Sequence, residues 1–537
     1  MPLPNLLSVS VAKSVWNPAA VIPAAWQYPV ATPSWYESGS QNTYVVGPRP
    51  DADTSVNAAH RWANTNFQYE QDLFVEFGAP PWQFELVTAP AGMIIGAFLK
   101  ASGDVLVYDS DYGKIKWPTP TAVGMPVDGW TVKVSIKDQN YQRGGAEVFA
   151  EWKVKVDDSK FIVISTTGNN ANPGTWASPK ADFDGWYEAD STATTYAGKI
   201  VVFRGGSYIP SGDFSVNNGN LQFYADAGVS RKPLSFIAAP GEAVAFDSTV
   251  ANWLFNAGTT DIAFNGDITF NGSKTQNPDL SYIANCRTMQ LLSQNDNVYF
   301  SGTSIKDLNS GTAGTDNPGF VVRLNFGGNP QAEHVGVKDV LFDTSGVNNG
   351  NNGGFLLSLT DYIVAMGCTV RNWDARYGYV SDKSACRYIS HYFNDLWTDT
   401  NADEHFEGTT NSSTYDVALQ TGGGDFMYNK VKGYAFSLGV NYLETQANIT
   451  TTVARITGQG VHRVSNLTLN PATYTKSLAY GANSGDAGTL LAAGDNYNGL
   501  TESTIDTYIN VATGEVTDLA LLGKYGATLI NPDSIGA

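Results

Sequence analysis

Apolar residues recur along the middle of this chain at i, i+2 and i+7, and the triplet repeats. DNVYFSGTSIKDL carries Val298, Phe300 and Ile305, and EHVGVKDVLFDT carries Val335, Val337 and Phe342. DYIVAMGCTVRNW carries Ile363, Ala365 and Val370, and SACRYISHYFNDLW carries Cys386, Tyr388 and Phe393. TDIAFNGDITFNG has Ile262 and Phe264, with its second strand one residue out of phase. Two apolar residues at i and i+2 of a strand point to one face. A strand pair that short cannot bury its own apolar face, so the copies are expected to stack, each covering the last. Stacking predicts that Val298, Val335 and Ile363 superpose. It also predicts polar columns: Lys306, Asp343, Arg371 and Asn394 in one, and Asp307, Thr344, Asn372 and Asp395 in the next. Members of a column would lie about 4.8 Å apart and touch. Unequal spacing between copies implies loops inserted on one side.

Residues 46–158 alternate with period two in FQYEQDLFVEF, WQFELV, GWTVKVSIKD and AEVFAEWKVKV, separated by the turn words GAPPW, APAG and DYGKIKWPTP. They read as strands with one face on a core. Residues 1–45, rich in Pro, Ala, Trp and Tyr, read as an extended arm. The repeats blur after about residue 410, and residues 501–537 read as a C-terminal cap or tail.

Two segments resemble known families. Pro90, Gly92, Gly113, Ile115, Trp117 and Pro118 stand as in Ig- or cadherin-like modules of extracellular proteins, which implies a β-sandwich over 46–158. After the strand FIVIS come Thr166, Gly168, Asn169, Asn172, Pro173, Gly174 and Thr175. Ile200, Gly206 and Tyr208 follow, then Pro240, Gly241 and Glu242. This order resembles the entry into right-handed parallel β-helices of the pectate-lyase-like superfamily. The resemblance implies such a solenoid over 159–500, with a short helix capping its open end. Phe183, Trp186 and Tyr187 are placed to form that cover, because the first layer of a solenoid exposes a backbone edge and an apolar end. The expected fold class is all-β, an N-terminal β-sandwich followed by a right-handed parallel β-helix.

Composition narrows the function. Charged residues are only 15%, there are 54 glycines, and net charge is −19. That balance argues against nucleic acid as a partner, since phosphate binding needs Lys and Arg to displace counterions. No window of about 18 apolar residues exists, so no membrane insertion is expected. Cys286, Cys368 and Cys386 show no metal-site spacing and read as buried free thiols, with a single bridge as the alternative. The first residues lack a charged region ahead of an apolar core, so they make a poor signal peptide.

Reactive side chains are densest in RNWDARYGYVSDKSACRYISHYFNDLWTDTNADEHFEG, residues 371–408. Aromatic rings beside carboxylates suit a sugar site, where rings stack on pyranose faces and carboxylates grip hydroxyls. Glycoside hydrolysis needs two carboxyls, for which Asp395, Asp399, Asp403 and Glu404 are candidates. β-Elimination on a uronic acid needs a base and a group that neutralises the sugar carboxylate, for which Lys383 and His391 are candidates. Arg371, Trp373, Arg376, Tyr377, Arg387, Trp397 and His405 are candidate substrate-binding residues. No cofactor is required; Ca²⁺ held by the oxygen-rich run Asp399–Glu404 is an option. The expectation is an extracellular polysaccharide depolymerase, tailspike-like or secreted, with a homotrimer implied for spikes of the family. The rival is a non-catalytic adhesin or structural fibre.

Overall fold

A computed structural model describes residues 45–47, 61–76, 82–97, 100–102, 105–137, 147–181, 199–208, 220–223, 235–247, 252–255, 263–271, 289–291, 298–306, 322–324, 332–343, 355–357, 360–371, 377–381, 387–392 and 395–397, then separate strands as far as Leu529–Ile530. The chain is all-β. No α-helix occurs among the described residues; the expected capping segment with Phe183, Trp186 and Tyr187, and most of the arm, lie outside them.

Phe161–Ile164 and Ile200–Phe203 are apolar at every position and buried at every position. Continuous apolar runs of this kind belong to parallel strands covered on both faces. The two pair in parallel, and from them the chain visits three parallel sheets in turn. The first holds eleven strands, from Phe161–Ile164 to Thr473–Thr475. The second also holds eleven, from Gly206–Tyr208 to Tyr497–Leu500, and the third nine, from Asn220–Phe223 to Asn466–Leu469.

The registers carry the repeat. Val298 pairs with Val335 and Val335 with Ile363; Phe300 pairs with Val337 and Val337 with Ala365. Ile305 pairs with Phe342 and Phe342 with Val370. The out-of-phase strand falls into line too, because Phe270 pairs with Ile305. Phe236, Phe264 and Phe300 stack with centroids 4.9 and 5.1 Å apart and rings within 10° of parallel. Phe203, Phe246 and Phe270 pack beside them.

The fourth copy is corrected by three residues. Ile363 pairs with Ile389, Ala365 with His391, and Val370 with Leu396, in place of Cys386, Tyr388 and Phe393. An odd shift turns a strand over. Asp395 therefore pairs with Thr369 and not in the column of Asn372, and Asn394 leaves the column of Arg371. The physical reason is His391: a pattern that expects apolar residues in the buried column cannot recognise a pass with histidine there.

The stretch after Phe161–Ile164 closes the free edge of the first sheet. Val163 N–H donates to the Gly174 carbonyl (2.7 Å), Lys180 N–H donates to the Val163 carbonyl (3.0 Å), and Ser165 N–H donates to the Lys180 carbonyl (2.8 Å). Asn172 ties the loop across itself through the Pro179 carbonyl. Gly174 is needed at φ +79, with Ile162 only 2.9 Å from where a Cβ would stand. The Asn-Pro-Gly chemistry thus supplies backbone partners that an edge strand otherwise lacks. Glu242 of the Pro-Gly-Glu turn clamps Arg204, whose guanidinium also lies 4.1 Å from the Trp176 ring.

Before these sheets, Gln83–Thr88, Trp130–Lys137 and Glu147–Val156 form an antiparallel sheet that Trp62–Ala63 extends. Tyr69–Asp72, Lys114–Trp117 and Ile94–Ile95 form another. The two share a core of Trp82, Phe84, Tyr112, Ile115, Trp117, Val132, Val134 and Trp152. The two sequence motifs meet directly, as Trp117 Nε1 donates to the Ala91 carbonyl (3.1 Å). This core continues into Val364 and Met366 of the first parallel sheet, so the N-terminal unit is docked on that sheet's outward face. The Phe74 and Tyr299 rings pack at a tilt, centroids 4.9 Å apart, beside Gly336, where a Cβ would strike the Phe74 ring. Leu529–Ile530 also returns to this unit, pairing with Val105–Val107.

Candidate functional site

Strands of the second sheet alternate inward apolar and outward polar positions. Tyr208, Phe246, Phe270 and Ile305 are buried. One register column runs Asp247, Asn271, Lys306, Asp343 and Arg371, each paired with the next. Asn271 Nδ2 donates to Asp247 Oδ1 (2.6 Å), and the Ser207 hydroxyl donates to Asp247 Oδ2. The Lys306–Asp343–Arg371 ladder expected from the repeats is therefore real in register. Val370 pairs with Leu396, so Trp397 is the next residue past that pair, as Arg371 is; Trp397 in turn pairs with Lys432 and Lys432 with His462. Asp395 pairs with Thr369 and Lys430, two residues from Trp397 on the same strand.

The backbone distributes the remaining candidates. Arg371, Asp395 and Trp397 share the second sheet. Tyr377 belongs to the third, opposite Val417. Arg387 and His391 belong to the first, opposite Asp361 and Ala365. His391 takes the register column of Phe300, Val337 and Ala365, all buried. Lys383, Trp373, Arg376, Asp399, Asp403, Glu404 and His405 lie outside the described residues, as does the Asp399–Glu404 run considered for Ca²⁺. Cys368 is a buried thiol whose pKa burial pushes up to about 12; Cys286 and Cys386 also lie outside.

A second cluster of ionisable groups was invisible in the pattern. It sits where the N-terminal unit meets the first sheet. Asp72 contacts Lys338 Nζ through Oδ1; its Oδ2 accepts from the Ser301 hydroxyl and lies 3.5 Å from Lys114 Nζ. Burial pushes the Asp72 carboxyl up, but Lys338, Lys114 and the Ser301 bond outweigh it and hold it below its ordinary value. Asp339 accepts from the Tyr108 hydroxyl (2.7 Å) through Oδ1, while Oδ2 has no hydrogen bond. Burial raises its pKa to about 6, against the opposing pull of Lys338. Burial, then the Asp339 charge, raises Tyr108. One local signal existed. Gly266, Gly302 and Gly367 occupy the corners between first-sheet and second-sheet strands at positive φ, and Asp339 occupies the same corner at φ 54.

No family model matches the chain, and no curated relative matches it. Among solved structures, it is similar to the pectate lyase Pel9A, with 13% identity over 63% of this chain and 72% of that one, at a TM-score of 0.28. It is similar also to a rhamnogalacturonan lyase, with 11% identity over 61% of this chain and 75% of that one, at a TM-score of 0.28. Likeness at this level carries no chemistry across, so the chain's own residues must supply it.

Proposed function

We propose that residues 159–500 wind as a right-handed parallel β-helix, preceded by an Ig/cadherin-like β-sandwich over 46–158, and that the chain is an extracellular polysaccharide depolymerase. The carbohydrate lies along the outward face of the second parallel sheet. The observation that carries this reading is the register that brings Arg371, Asp395 and Trp397, then Lys430 and Lys432, onto adjacent strands of one sheet whose first-sheet neighbour is covered by the N-terminal unit. A ring for stacking, a carboxyl and several cations within adjacent strands is the inventory a glycan groove requires. The right hand follows from the strong preference of parallel crossovers. The arm at 1–45 serves attachment, on a virion tail or a secreted protein, residues 501–537 form a C-terminal cap or tail, and the assembly is a homotrimer.

The second reading is a non-catalytic adhesin or structural fibre. The Ser207–Asp247–Asn271 ladder favours it, because those polar side chains satisfy one another and leave fewer groups for a ligand. Incubation with a panel of acidic and neutral bacterial or algal polysaccharides separates the readings. New reducing ends with an ultraviolet-absorbing unsaturated product indicate β-elimination, and reducing ends without it indicate hydrolysis. Binding without cleavage supports the adhesin. Neither binding nor cleavage across the panel sinks the carbohydrate reading.

A further inference from the structure

The interface cluster contains more than an ion pair. Lys338 and Asp72 touch with side chains 0% and 5% exposed. Phe74 and Tyr299 pack together on Gly336, two residues before Lys338, and Tyr108 packs directly on Gly367. The groups around it are those that amide formation between a lysine and a carboxyl needs. We infer that Lys338 and Asp72 condense into an intramolecular amide bond that fastens the N-terminal unit to the first parallel sheet.

The parts are in place for each step. The proton of the ion pair passes from Lys338 Nζ to Asp72 Oδ1, giving a free amine and a neutral acid in contact. The amine lone pair attacks Cγ of Asp72 and a C–N bond forms. Negative charge develops on Oδ2, which already receives the Ser301 hydroxyl and faces the Lys114 ammonium, an arrangement that stabilises an oxyanion. Asp339 Oδ2, 3.9 Å from Lys338 Nζ and free of hydrogen bonds, takes a proton from the nitrogen and returns it to the departing oxygen. The C–O bond breaks and water leaves. One ammonium and one carboxylate become one amide and one water, with no oxidant or co-reactant.

Charge accounting favours the product. Before reaction the cluster holds two ammonium groups, Lys338 and Lys114, and two carboxylates, Asp72 and Asp339. Afterwards Lys114 and Asp339 remain and still balance. The desolvation penalty of one buried ion pair is removed. The bond would join positions 266 residues apart and close about half of the 537-residue chain into one covalent loop.

The test is the intact mass of the purified full chain under denaturing conditions. The expected result is a mass lower than the sequence by one water, with a protease digest yielding a branched peptide that joins the Asp72 and Lys338 segments. Lys338→Arg, which keeps the charge but removes the amine nucleophile, should restore the full mass. Asp339→Asn should do the same while circular dichroism stays that of the folded chain. A bond that persists in Asp339→Asn overturns the part given to Asp339. Full mass in the unaltered chain, with Lys338 open to acylation after unfolding, overturns the proposal and leaves an ordinary ion pair; so does a water loss mapped elsewhere. The measurement on the unaltered chain decides even where a variant misfolds, and it is independent of the polysaccharide reading.

Discussion

Tyr108 donates a 2.7 Å hydrogen bond to Asp339, joining two residues 231 positions apart. It does so at a corner where neighbouring passes carry glycine, and the Asp339 N–H donates to the Met366 carbonyl much as the corner N–H of Gly302 donates to that of Lys338. An L-residue there costs roughly 1–2 kcal/mol unless it is Asn or Asp, which tolerate the left-handed region better. The folded pKa of Asp339, about 6, lies above its ordinary 3.8. Its contribution is therefore most favourable in acid, and stability is lost as pH rises through about 6. Asp339→Asn removes the penalty of the charged form. We expect the variant to match the parent near pH 4 and to exceed it by on the order of 2–3 kcal/mol at pH 8. Thermal unfolding of both chains across that range checks this, and a pH-independent difference contradicts it. Burial dominates the shift, and the pulls of Lys338 and Asp72 oppose each other, so the sign survives the loss of both charges.

Removing one partner at the docking surface should be costly. Lys338→Met leaves the Asp72 carboxylate buried with fewer partners, a change of about 3–5 kcal/mol relative to the uncondensed ion pair. Replacing both, Lys338→Met with Asp72→Leu, should recover much of that loss. Chemical denaturation monitored by tryptophan fluorescence reads the difference. Equal loss in the single and double variants would mean that stranded charge is not what the single change costs.

The inward stack gives a prediction of a different kind. Phe264 lies between Phe236 and Phe300, and all three are buried. Phe264→Ala should destabilise by about 3–5 kcal/mol, because neighbouring strands cannot close the cavity without breaking register. Phe264→Leu should cost less. In a stack whose layers contact only their neighbours, the loss should appear as a separate early transition in denaturant.

How much of this was legible in sequence depends on how local the cause is. Val298, Val335 and Ile363 announced their superposition because the same side-chain spacing recurs wherever a pass must bury the same face. The Asn-Pro-Gly segment announced a closure of the first strand, though its visible action is backbone bonding to Val163 and Ser165. Asp72 gave no sign. Its partners Lys114, Ser301 and Lys338 are brought to it only by docking, and no period in the chain encodes that contact. The fourth repeat was misphased for a related reason: Cys386–Tyr388–Phe393 and Ile389–His391–Leu396 have the same spacing, and histidine made the true phase look worse.

Closure of the sheet edge can be tested at Gly174. Gly174→Ala forces a left-handed φ on an L-residue and drives its Cβ to within 2.9 Å of Ile162. We expect a loss of roughly 1–3 kcal/mol. Loosening the loop also bares the Val163 backbone, so concentration-dependent aggregation should rise, read by light scattering. A soluble variant of unchanged stability would show that the loop is not the edge's cover.

The sheet assignments of His391 and Trp397 make opposite predictions for two residues that one candidate cluster contains. His391 occupies the register column of Phe300, Val337 and Ala365, on the first sheet; Trp397 occupies the register column that continues from Arg371, on the second. His391→Ala should lower the melting temperature and affect polysaccharide handling only through that loss. Trp397→Ala should leave the melting temperature unchanged and weaken binding to a cognate polysaccharide about tenfold, equivalent to about 1.4 kcal/mol. Asp395→Asn, on the same face, should slow cleavage with the melting temperature preserved if that carboxyl participates in the reaction. Thermal unfolding paired with affinity electrophoresis in polysaccharide gels measures stability and binding, and a reducing-end assay measures cleavage. If instead His391→Ala abolishes cleavage in a fully stable protein while Trp397→Ala changes nothing, the reacting groups lie away from the second sheet's outward face and the proposed groove is misplaced.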